Sequence, residues 1–214
     1  MSTRKDRAER NDRALLQAAR DVLAEDGAHA SVAAIAARAG VGVGSLYRRY
    51  RTKEELFQRL SLFSLDHWNE AAEQGLAAPD PWAGLTGFVR SCIEFGQGSL
   101  APVAGTIEVT EEMSAKSRRG DELLDELVRR AHASGDLRTD VTATDISLLI
   151  EQLGRSPVVD QLRRQGRDDL LPAAAEARRR LIAITLDGLR PGHDPLPGSP
   201  PGDELFTGRW SVEE

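Results

Sequence analysis

Apolar residues recur every three or four positions through most of this chain, the period of helices packed on one face. Leu15, Ala18, Ala19, Val22 and Leu23 form such a stripe, which predicts a helix from Asn11 to Asp26 closed by Gly27. Ser31 stands at an N-cap position ahead of Val32, Ile35, Ala36 and Ala39, the inner face of a second helix that Gly40 breaks. A third helix of about two turns is predicted over Val43 to Tyr50, anchored by Leu46 and Tyr50 at i, i+4. Thr52 and Glu55 have capping-box spacing and open a long fourth helix with Leu56, Leu60, Phe63 and His67 on one stripe.

Helical spacing continues beyond this point. Asp80-Pro81 is a cap-then-proline start, and Trp82, Leu85, Phe88, Val89, Cys92, Ile93 and Phe95 follow in a strongly apolar segment. Gly96 to Gly105 is looser. Ser117 to Ser134 has Leu123, Leu124, Leu127, Val128 and Ala131 inward. Thr142, with Asp145 after it, opens a helix striped by Ile146, Leu149, Ile150 and Leu153, which Pro157 bends or ends. The last helix, Pro172 to Leu189, is apolar on two sides. Ala177, Leu181 and Ile184 lie on one side, and Ile182, Leu186 and Leu189 on another. Such a helix contacts its own domain and a partner subunit. Five of the ten prolines fall within 191–201, so 191–214 is expected to be a Pro/Gly-rich tail without regular structure that Phe206 and Trp210 dock onto the body. No strand is predicted, and the fold class is all-α.

Charge changes this picture at one end. Residues 1–60 hold 12 Lys/Arg against 8 Asp/Glu, whereas the 214-residue chain has a net charge of −6. A basic front on an acidic body points to a front that meets polyanions. Residues 1–10, with Arg4, Lys5, Arg7 and Arg10, are expected to be a flexible basic arm that seeks phosphate. No stretch reaches the roughly 20 apolar residues of a membrane span, and no apolar signal core follows Met1, so the chain is placed in the cytoplasm with no membrane partner. A single cysteine, Cys92, excludes an intramolecular disulfide and reads as a small buried side chain. His29, His67, His132 and His193 are far apart and none has a partner at metal-ligand spacing. No catalytic residues, no metal and no cofactor are expected, and the chain does not read as an enzyme.

Three helices in the first 50 residues, the last two joined by a turn at Gly40-Val41, make a helix-turn-helix. Its third helix is too polar and basic to be core, and its Ser/Tyr/Arg face suits a DNA groove. The run from Ser31 to Ala36, Ala39-Gly40-Val41, Gly44 to Tyr50 and Lys53 to Leu56 resembles the N-terminal signature of the TetR family of bacterial transcriptional regulators. Thr142 to Leu189 also resembles the last two long helices of that family's ligand domains. Two positions depart from the signature. Gly42 stands where a serine is common, and Val43 where a polar or basic residue is frequent.

The resemblance implies a helix-turn-helix DNA-binding domain over 11–55 and a ligand-binding and dimerisation domain over 56–190. Ser31 would hold a phosphate at a helix N-terminus. Gly44 and Ser45, with Gly42 and Val43 beside them, would approach base edges. Tyr47, Arg49 and Lys53 would hold phosphates, and Arg48 would face the groove or the backbone. A pocket for a small-molecule effector is expected among Phe63, His67, Trp82, Phe88, Cys92, Phe95, Met113 and His132. Trp68 and Glu108 are further candidates. Ile146, Leu149, Ile150, Leu153, Ala177, Leu181 and Ile184 would pair two subunits as a homodimer. The expected function is a repressor that binds a palindromic double-stranded DNA operator and is released by a small molecule. The competing reading is a small-molecule-sequestering helical protein with a vestigial DNA-binding head.

Overall fold

The computed structural model describes residues 4–98, 100–192, 194–202 and 204–210. Among them every regular element is helical. In chain order these are α1 (Arg4–Asp26), α2 (Val32–Arg38), α3 (Val43–Arg49), α4 (Lys53–Ala77) and α5 (Pro81–Phe95), then α6 (Glu111–Ala133), α7 (Ala143–Gly154), α8 (Pro157–Arg164), α9 (Leu171–Gly188) and α10 (Glu204–Trp210). Short 3₁₀ turns lie at Gly27–His29, Ala101–Val103 and Asp168–Leu170. No described helix is long and apolar enough to cross a membrane.

The helices start where side chains satisfy their first N–H groups. Ser31 Oγ accepts from the Ala34 N–H at 3.0 Å, Asp80 from Ala83 at 2.6 Å, and Thr110 from Met113 at 3.2 Å. Thr142 and Asp145 form a complete, reciprocal capping box. The box expected at Thr52 is half formed. Thr52 accepts from the Glu55 N–H, but the Glu55 carboxylate reaches one residue further back, to the Arg51 N–H at 2.7 Å.

Four boundaries differ from the sequence expectation. α1 begins at Arg4 rather than Asn11, so residues 4–10 are helical and not an arm. That run is made of Arg, Lys, Glu, Asp and Ala, and no glycine or proline interrupts it. α6 begins at Glu111, ahead of Ser117, because Thr110 supplies a cap there. The helix expected to bend at Pro157 divides into α7 and α8, with Pro157 in the first turn of the second. The tail is irregular through its prolines but becomes helical again at α10. Arg209 of α10 donates to both carboxylate oxygens of Glu151, each at 2.8 Å, which docks the tail on α7. His193 and the side chain of Trp210 lie outside the described residues.

Two apolar cores form. The head core joins Leu15, Leu16, Ala19, Val22, Ile35 and Leu46 to Leu56, Phe57 and Leu60 of α4. The body core joins Trp68 and Ala72 of α4 to Phe88, Cys92, Leu124, Ile146, Ile182 and Leu186. One helix of roughly 37 Å therefore runs through both, and a boundary at 55/56 falls inside it rather than in a linker.

α4 and α5 meet at two glycines. A Cβ on Gly84 would lie 2.3 Å from the Gly75 carbonyl oxygen, and one on Gly75 would lie 2.8 Å from the Gly84 oxygen. Backbone meets backbone here, so no side chain can rotate away. Gly84→Ala is expected to cost about 3 kcal/mol, the upper end for overpacking, read as a lower urea midpoint against wild type.

Candidate nucleic-acid interface and ligand cavity

The turn between α2 and α3 is fixed by backbone geometry. Gly40 takes φ +67°, in the left-handed region, and the Val41 N–H closes on the Ala36 carbonyl at 3.0 Å. Leu46 and Tyr50 pin α3 to the head core. That anchoring leaves Gly42, Val43, Gly44, Ser45, Tyr47, Arg48 and Arg49 exposed on one surface. Tyr47 is 47% exposed. A Cβ at Gly44 would meet nothing within 4 Å, so internal packing does not require glycine there.

Hydrogen bonding orders this surface. Arg48 Nη2 donates to Ser45 Oγ at 2.8 Å. Arg49 Nη2 donates to Asp12 Oδ1, and Arg59 Nη2 to Asp12 Oδ2 at 3.4 Å. Asp12 is buried, and it ties α1 to the recognition helix and to α4. Arg49, expected to hold phosphate, thus has a structural task first, although its side chain stays 43% exposed. Sequence reasoning does not single out Asp12, although a carboxylate three and four positions before Leu15 and Leu16 sits on the buried stripe. Tyr50 OH is buried with no partner among the described residues, and burial pushes its pKa up. Ser31 caps α2 with its hydroxyl oxygen and keeps its proton for another acceptor. Lys53, in the first turn of α4, places Nζ 5.3 Å from the Phe57 ring centroid.

The body carries an open cavity of about 920 Å³ between α4, α6, α7 and the tail helix. Trp68, Leu100, Met113, Leu124 and Ile150 supply apolar wall. Glu108, Asp121, Asp125 and Glu151 bring four carboxylates, against Arg118 and the Glu151-paired Arg209. Ser61 and Gln97 also line it, and their Oγ and Oε1 atoms are buried without a hydrogen-bond partner among the described residues.

Of the eight pocket residues expected from the sequence, Met113 alone lines this cavity, as do the further candidates Trp68 and Glu108. Phe88 and Cys92 are fully enclosed in the body core, and burial pushes the Cys92 thiol far up, so it is inert. His67 stacks on Phe95 with ring centroids 3.8 Å apart, beside Phe63. His67 Nε2 lies 3.3 Å from the Ser91 carbonyl, and burial lowers its pKa. Trp82 stacks under Arg190, and His132 bonds the Arg138 carbonyl. The cavity uses the neighbouring stripe of α4, Ser61, Ser64, Leu65 and Trp68, one step round from Phe63 and His67. Serines at core spacing are the signal in the sequence that could have found it.

The expected subunit-pairing residues divide. Ile146 and Ile150 are 0% exposed and belong to their own body core, so they cannot form a subunit face. Leu149 and Leu153 are half-buried against it. Ala177, Leu181 and Ile184 lie on the outer side of α9, with Leu181 57% and Ile184 64% exposed. The opposite side of α9 buries Ile182 and Leu186.

A three-helix head that exposes a recognition helix, joined by one helix to a body with a cavity, defines a helix-turn-helix regulator. Residues 15–60 match the family described as "Bacterial regulatory proteins, tetR family", and residues 80–191 match "Transcriptional regulator SbtR-like, C-terminal domain". The chain belongs to the TetR family of bacterial transcriptional regulators. Among solved structures it is similar to LfrR from Mycobacterium smegmatis, in complex with proflavine, at 25% identity over 88% of this chain and 99% of that one (TM-score 0.56). PfmR from Thermus thermophilus is similar at 25% identity over 82% and 98% (TM-score 0.54). SCO0520 from Streptomyces coelicolor shares the fold at 24% identity over 85% and 99% (TM-score 0.55). No curated protein sequence matches significantly.

Proposed function

We propose that this regulator is a cytoplasmic repressor that binds a palindromic operator as a homodimer and leaves it when a small molecule fills the body cavity. The observation that carries the reading is α4. Ser61, Ser64, Leu65 and Trp68 line the cavity, while Leu56 and Phe57 of the same helix belong to the core that holds α3. A ligand that binds better when α4 is displaced favours dimers whose heads are wrongly spaced for successive major grooves. Ser45 and Arg48 face base edges, and Ser31, Tyr47, Arg49 and Lys53 face phosphates.

The lining favours an amphipathic effector with a cationic group. Carboxylates outnumber guanidinium groups in that lining, and apolar wall lies beside them. Proflavine, which the similar LfrR holds, is the first probe. Titrated into a complex of this protein with a selected duplex, it is expected to release the DNA. Because a planar cationic acridine also enters duplex DNA, binding is first read on the protein alone, and saturable binding by a protein that selects no duplex would instead favour a sequestering protein.

The tail helix competes for the same space, because Phe206 and Arg209 line the cavity. An exposed ion pair contributes up to about 1 kcal/mol. Arg209→Ala is therefore expected to tighten proflavine binding by up to about five-fold, measured by fluorescence titration. Unchanged affinity would show that the tail is not displaced.

A further inference from the structure

We infer that a second cavity, at the seam between head and body, binds a small dianion carrying either a phosphate or a pair of carboxylates. This inference is independent of the operator and of the larger cavity. The seam cavity has a volume of about 290 Å³, near the lower end of small-molecule sites. One wall is α1, through Gln17, Arg20 and Asp21. The other comes from the end of α5, the link between α7 and α8, and α8 and α9.

Its charge is unbalanced. Arg20, Arg155, Arg163, Arg164 and Arg178 line it, against Asp21, Glu94 and Asp160. Asp21 is already shared between Arg38 at 3.6 Å and Arg163 at 3.7 Å. Burial pushes the Asp160 carboxyl up, with Asp21 adding to the effect.

Two of the lining arginines carry buried donors with no partner among the described residues. Arg20 lies over the Phe95 ring, 4.5 Å from its centroid, with Nε and Nη2 buried and unpartnered among the described residues. Burial lowers its pKa only to about 10, so it stays charged at neutral pH. Arg178 Nη2 donates to the carbonyls of Ile93, Leu153 and Gly154 at 3.0, 2.9 and 3.2 Å, which fixes the group against the ends of α5 and α7. Its Nε is buried and has no partner among the described residues. Buried donors without acceptors are rare and costly, and those on an arginine cost more than most. A phosphate or carboxylate pair offers charge-assisted acceptors to both forks and matches the two-charge excess. A dianion held this way bridges α1 of the head to α8 and α9 of the body.

The test is isothermal titration of inorganic phosphate, glycerol 2-phosphate and succinate into the full chain at constant ionic strength. Arg155→Gln/Arg164→Gln removes two exposed charges and leaves the packing intact. Arg20→Met removes the buried fork. Wild type is expected to bind at least one of the three probes saturably, one per chain. Affinity falls at least ten-fold in the double variant and binding is lost in Arg20→Met. The tightest probe then identifies the ligand as a phosphate, a phosphate ester or a dicarboxylate. No saturable binding by any probe, or equal affinity in wild type and the double variant, would overturn the inference. If Arg20→Met does not fold, the double variant alone decides it.

Discussion

A Leu181→Glu/Ile184→Glu protein is expected to sediment as a folded monomer and to bind operator DNA at least about 100-fold more weakly than wild type. Both side chains stand on the outer side of α9, more than half exposed, while Ile182 and Leu186 on its inner side hold the body core. The new charges therefore leave the protomer's own packing alone. Across a two-fold axis each Leu or Ile would bury about 1.5–3 kcal/mol of apolar surface, twice over, and the glutamates replace that gain with like-charge repulsion. Losing the second head removes the bivalent advantage, which is worth about 10²–10⁴ in linked binding. Analytical ultracentrifugation and anisotropy on the same sample check both halves. A variant that remains a dimer would place the interface elsewhere.

Tyr47→Ala carries the second large effect. Tyr47 neither fills the head core nor caps a helix, so its loss leaves α3 pinned by Leu46, Tyr50 and the Arg49–Asp12 pair. A hydrogen bond to a charged phosphate contributes about 1.5 kcal/mol. Two heads double that, so operator affinity is expected to fall about 100-fold. Because phosphate contacts do not read sequence, affinity for unrelated duplexes should fall in proportion. Tyr47→Phe separates the hydroxyl from the ring. Unchanged affinity in both variants would mean that another face of α3 meets DNA.

The reading head is largely legible in the sequence because its signals are local. A serine cap, a glycine in the left-handed region and an i, i+4 anchor pair act within a few residues of one another. Long-range partners are not legible in the same way. Nothing local ties Arg49 to Asp12, 37 positions earlier in the chain, so the sequence suggests its phosphate role without its structural one. The cavity is hidden for a related reason. Periodicity identifies an apolar face but not which of two adjacent stripes meets a void, and on α4 the serine-bearing stripe does. Ile146 and Ile150 resemble a subunit face because a stripe does not say whether its cover comes from the same chain. In the tail the prolines dominate the pattern, whereas the Arg209–Glu151 pair that docks α10 lies beyond them.

Selection of random duplex DNA by the purified chain, run at two salt concentrations, decides whether the protein reads an operator as a dimer. A palindrome with half-sites about one helical turn apart is expected, bound with an affinity that falls steeply as salt rises. A folded, dimeric protein, refolded free of any bound molecule, that enriches no sequence at either salt would contradict this expectation.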